Sequence, residues 1–146
     1  MSKWTMVLAS VLVLILTLTT MGCSQSNTVE GVVDHKVLSG VKDSTQYMIV
    51  FNAPDDDGTP VNDVRDDTFQ GLFPLHGELV VTEDLENQMG AVYSDFVYQV
   101  SVEKSPDYTF GYPTTREIFN RMSLGATVKF QVSDSSGIPR IVKIID

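Results

Sequence analysis

Apolar and polar residues alternate with a period of two along most of the chain, and one segment carries the wider spacing of a helix. Residues 29–38 read as a first strand, with Gly31 marking a bulge or a close approach of backbone. Ser39-Gly40 and Lys42-Asp43-Ser44 punctuate it, and residues 46–52 form a second strand rich in β-formers. Residues 53–70 hold Pro54, Pro60 and many aspartates, which predicts an exposed irregular loop. A short strand is expected at 78–82, followed by a polar stretch to Gly90 with no assigned structure. Residues 95–103 alternate cleanly, placing Phe96, Tyr98, Val100 and Val102 on one face. Thr114-Thr-Arg-Glu117 has the form of a capping box, with Thr114 as N-cap. Ile118, Phe119 and Met122 follow at helical spacing, so the expectation is a helix over 114–122 ended by Gly125 in a left-handed cap. Two further strands, 127–132 and 138–145, flank the hairpin signal at 133–137. The predicted core is Val32, Met48, Val50, Tyr98, Val100, Phe119, Val128, Phe130, Val132 and Ile144.

These elements make a mainly β domain. A short helix between the third and fourth of five core strands, with an insertion after the second, is the plan of a small OB-like β-barrel. Tyr47-Met-Ile-Val-Phe51, Ile118-Phe-Asn-Arg-Met-Ser-Leu-Gly125 and Val128-Lys-Phe-Gln-Val132 with Ile138 carry a resemblance. They resemble pieces of small OB-like domains of unknown function in phage and bacterial proteins. The resemblance implies a barrel and brings no catalytic residues with it.

The start of the chain has a different pattern. Lys3 precedes an apolar run over residues 6–18, interrupted by Ser10 and Thr17, and Gly22 then precedes Cys23, the single cysteine. The run is shorter than the roughly 20 residues that a membrane span needs. A charged start, a short apolar stretch and a small residue before the break mark a secretory signal. The segment resembles a lipoprotein signal peptide, in which the cysteine is lipidated before cleavage. Thr20 stands where that pattern usually has leucine. The expected organisation is therefore a cleaved signal over 1–22, a lipidated Cys23 and polar tether over 23–28, and one domain over 29–146. Two acyl chains on Cys23 make a stable anchor on the extracytoplasmic side of the cell membrane.

Cleavage before Cys23 leaves nine basic and nineteen acidic residues. So acidic a surface repels phosphate backbones and excludes nucleic acid as a partner. The aspartates between 55 and 67 offer oxygen to calcium, but with Gly58 at the turn position an EF-hand would need ligands at Ala53 and Val64. The loop therefore reads as a solvated turn, and no metal or cofactor is expected. His35 and His76 stand 41 positions apart, and no nucleophile–base, zinc or phosphate-loop motif is present. The leading expectation is a non-enzymatic binding module of the cell envelope, its partner an envelope protein or glycan. Tyr108, Phe110 and Tyr112 are its candidate contact residues, on an exposed connection before the helix. Two alternatives stand beside it. One is an envelope enzyme accessory or hydrolase built on His76 and the loop acids. The other is a phage-related surface lipoprotein that alters host susceptibility.

Overall fold

The computed structural model describes residues 27–134 and 136–145; the apolar leader, Cys23 and the start of the tether lie outside them. The chain is mainly β. Its strands are β1 (Asn27–Lys42), β2 (Thr45–Pro54), β3 (Pro60–Val64), β4 (Asp95–Ser105), β5 (Tyr108–Thr114), β6 (Thr127–Ser133) and β7 (Arg140–Ile145). A 3-10 turn, Asp67–Leu72, and two short helices, α1 (Glu83–Met89) and α2 (Arg116–Arg121), complete it. Strand pairing already includes Asn27 and Thr28, so β1 takes up two residues expected in the tether.

The sixteen-residue β1 organises the sheet. One of its edges pairs with β4 from Val32 to Val41. Its other edge changes partner midway: Asn27–Val32 pairs with β6, and Lys36–Lys42 pairs with β2. β3 extends β2, β5 extends β4 and β7 extends β6, all antiparallel. β5 and β7 meet without a backbone ladder, and the sheet is not closed into a barrel. There the Thr114 hydroxyl donates to the Ile141 carbonyl at 3.1 Å.

Local chemistry explains the joints. β1 and β2 are joined through Asp43 and Ser44, with φ of 51° and 62°, the paired positive values of a two-residue hairpin turn. Gly31 is a close approach, because a Cβ there would stand 2.5 Å from the Glu103 carbonyl oxygen on β4. Thr115, not Thr114, caps α2 by accepting the Ile118 N–H, while Thr114 stays buried in β5. The capping motif held two adjacent threonines, and the strand claimed the first. Gly125 has the predicted positive φ, but it lies beyond the helix end, where its N–H donates to the Val33 carbonyl.

Val50, Tyr98, Val100, Phe119, Phe130 and Val132 are buried as expected, and Val128 and Ile144 partly so. Val32 and Met48 are exposed instead. Both sit beside register shifts, at Val33/His35 and Leu38/Ser39, which turn the inward positions by one residue. Val33 and Ile49 take the inward places.

The stretch expected to be irregular, 53–70, is largely built. Asp55 accepts the N–H groups of Asp57 and Thr59, Gly58 adopts φ 79°, and the chain returns as β3. The expected strand at 78–82 is absent, and the unassigned polar stretch after it is α1, capped by Thr82. Residues 74–82 form an extended strap tied down by side chains. Asn52 donates to Val61 and Gly77 carbonyls and accepts the Leu79 N–H. Asn62 donates to Pro74 and Gly77 carbonyls. Asn120 both donates to and accepts from the Val81 backbone. Lys36, fully buried on β1, donates to the Leu79 and Met122 carbonyls at 2.7 and 3.0 Å and lies 4.5 Å from the Phe119 ring centre. Burial drives its ammonium down to about 8, against the opposing pull of Glu78 at 3.8 Å. The buried Glu78 Oε2 makes no hydrogen bond, so Lys36 is its electrostatic partner.

Candidate functional site

Tyr108, Phe110 and Tyr112 lie on β5, a strand where the sequence suggested a connecting loop. Pro106 falls in the β4–β5 turn, and Pro113 is tolerated because β5 is the last strand of its run. Alternation along β5 puts the three rings on one face. Their environment changes steadily along it. Tyr112 is buried against Phe130, ring centres 5.2 Å apart, Phe110 is half-buried at 4.6 Å from Tyr112, and Tyr108 is 50% exposed. The row thus begins in the core and ends in solvent.

Lys104 completes this row. Its ammonium stands 5.6, 5.7 and 5.2 Å from the ring centres of Tyr108, Phe110 and Tyr112, within cation–π range of all three. Asn27, Val29, Val132 and Pro139 close a hollow of about 230 Å³ around them. Lys104 was missed from sequence, although one further step of the alternation through Val100 and Val102 would have reached it.

The other candidates are dispersed. His76 is exposed and bridges Val61 through its backbone. His35 shares a 2.6 Å hydrogen bond with Asp34 and stacks on Phe51. Among the described residues, no three His, Cys, Asp or Glu side chains gather as a metal site would require. A wider hollow of about 560 Å³ lies over β3, bounded by Asn62, Asp63, Gln70, Phe73 and Leu75. The amide nitrogen of Asn62 there is committed to the strap, while its buried Oδ1 has no hydrogen-bond partner.

Two ionisable clusters tie the fold around the strap. Tyr98 and Arg116 both donate to the Glu86 carboxylate, joining β4, α2 and α1. Tyr93 donates to Asp66 at 2.6 Å. Burial, and then that bond, push the Tyr93 phenol up to about 12, while the same hydrogen bond holds the Asp66 carboxyl below its ordinary value.

Charge is divided sharply. Residues 43–94, inserted between β1 and β4, carry eleven acidic residues against Arg65 alone. The rest of the chain from Cys23 onward has eight of each sign. The insertion therefore accounts for the whole net charge of that part, and it is mounted on the half of β1 remote from Asn27.

No protein-family model matches the chain, and neither a curated protein nor a solved structure matches it. Among the described residues, no helix is long and apolar enough to cross a membrane.

Proposed function

We propose that this protein is a lipid-anchored, non-enzymatic binding module on the extracytoplasmic side of the membrane, held there by acylated Cys23. Its domain is an OB-like, incompletely closed barrel of β1, β4, β5, β6 and β7, with α2 between the third and fourth strands. In this arrangement β2, expected as the second core strand with the insertion after it, instead belongs to an insertion of residues 43–94 between the first two. The strand pairing supports that reading: β1 bonds both β4 and β6, and Thr114 reaches Ile141 where β5 and β7 would close the barrel. In OB folds the second and third strands bind ligands, and β4 and β5 occupy those places.

The observation that carries the proposal is the row of Lys104, Tyr108, Phe110 and Tyr112. A cation shared by three rings, on a face that opens to solvent, suits contact with an envelope component through stacking and apolar burial. Intact mass of the protein isolated from producing cells should show a chain beginning at diacylglyceryl-modified Cys23. An unmodified thiol there would refute the anchor. Tyr108→Ser should weaken contact with the envelope component and leave the melting temperature within about 2 °C of the parent, because the ring is half exposed. Contact unchanged by that substitution would remove the row from the binding surface.

A further inference from the structure

We infer that the component met by the aromatic rim is the bilayer interface itself, so that the domain stands with the rim down and the acidic insertion pointing away. The inference rests on the anchored-module reading and adds an orientation to it. Its first support is chain length. Cys23 and Asn27 are four residues apart, which an extended chain can stretch to at most about 14 Å. Asn27 lines the same hollow as Lys104, Tyr108, Phe110 and Pro139. An acylated Cys23 therefore brings those residues within reach of the headgroup layer. The wide hollow over β3 is built on β2 and has no such constraint.

The chemistry of the rim suits that place. Tyrosine settles at membrane–water interfaces, with its ring toward the acyl chains and its hydroxyl among headgroups. Lysine lays its stem along apolar surface and keeps its ammonium among phosphates. Tyr108 is half exposed and Lys104 lies against it.

The second support is independent of the tether. An anionic membrane surface attracts bases and repels acids over about a Debye length. At the Asn27 end, Lys104, Lys129, Arg140 and Lys143 are balanced by Glu30, which faces Lys129, and by Glu103, Asp107 and Asp134, so this end is neutral where the insertion is strongly acidic. The insertion, with its eleven acids, is mounted on the Lys36–Lys42 half of β1, although the β2–β3 hairpin carries Asp55–Asp57 back past the level of Lys36. Turning the domain over would press them against the phosphates.

Trp4, the sole tryptophan, lies in the segment ahead of Cys23, so the mature chain offers no indole of its own. Tyr108→Trp and Tyr47→Trp each install a single reporter, the second on β2 beside Gly40 at the far end of β1. Both sites are about half exposed and accept the larger ring. The proteins are isolated from producing cells, checked by intact mass and placed in vesicles of phosphatidylcholine and phosphatidylglycerol brominated near the headgroup. Emission from Tyr108→Trp should fall roughly twofold and shift to the blue, as for a ring in the interfacial belt, while Tyr47→Trp stays unchanged. Equal quenching of the two variants on an acylated chain would overturn the orientation and leave the rim to an envelope protein or glycan. An unmodified Cys23 would overturn both the orientation and the anchored-module reading.

Discussion

The insertion of residues 43–94 and the sheet on which it rides are held together by different means. Strands β4 to β7 are tied by backbone ladders, β4 to β1 and β5, and β6 to β1 and β7. In the insertion, the β2–β3 hairpin is laddered, but the strap of residues 74–82 is fastened by Asn52, Asn62, Asn120 and Lys36. A ladder spreads its energy over many similar bonds. A strap concentrates it in a few side chains, each leaving several buried backbone groups unpaired if removed. Single substitutions should therefore hurt the strap more than the sheet per atom deleted, and that expectation orders the tests.

The largest effect is expected at Lys36. Lys36→Met keeps the stem but strips the Leu79 and Met122 carbonyls and Glu78 of their partner, and should cost about 3 kcal/mol in chemical denaturation. Its pH signature has a definite sign. The folded-state value is lowered from 10.5 to about 8, so the penalty for burying the charge is fully present below about 8. It is relieved as pH rises toward 10.5, because the unfolded chain binds more protons across that window. The parent should thus gain stability relative to Lys36→Met between those values; a constant difference would mean that the amine is not strained by burial.

Asn52→Ala comes next, at about 2 kcal/mol, since it abandons the Leu79 N–H and two carbonyls in the interior. Hydrogen exchange sharpens the comparison. In this variant the Leu79 amide should lose protection while the amides of β4 retain theirs, as expected of a locally opening unit. Uniform loss across both regions would show that strap and sheet unfold as one.

Tyr93→Phe should cost about 1 kcal/mol at neutral pH by removing the hydrogen bond to Asp66. The Asp66 carboxyl is depressed in the folded chain, so this contribution is present above its unfolded value of 3.8 and fades as pH falls through the folded one. Parent and variant should converge in acid. The smallest effect is expected at the hairpin tip. Asp56→Asn, in an exposed turn where Asp55 makes the bonds, should change stability by less than about 0.5 kcal/mol.

Much of the sheet was legible because alternation is a local signal. Tyr98, Val100, Phe130 and Val132 declare their face within four or five residues, and Gly31 announced a close approach that β4 supplies. Where the chain broke its own period the reading slipped by one position. Val32 and Met48 lie beside register shifts whose cause is the neighbouring strand. β5 was hidden for a related reason: Pro106, Gly111 and Pro113 look like loop chemistry unless the strand is known to be last in its run.

Composition and periodicity alone determined a mainly β chain, a concentration of acid between residues 55 and 67, the face shared by three aromatic rings and the short helix near 114–122. These are properties of neighbours in sequence, set by spacing and side-chain type. Only the tertiary structure decided that β1 changes partner halfway, that Lys36 is buried under the strap, that Lys104 stands over Tyr108, Phe110 and Tyr112, and that the acidic insertion is mounted on the half of β1 remote from Asn27. Each of these joins residues tens of positions apart, and such contacts are chosen by the packing of the whole core, which no local pattern records.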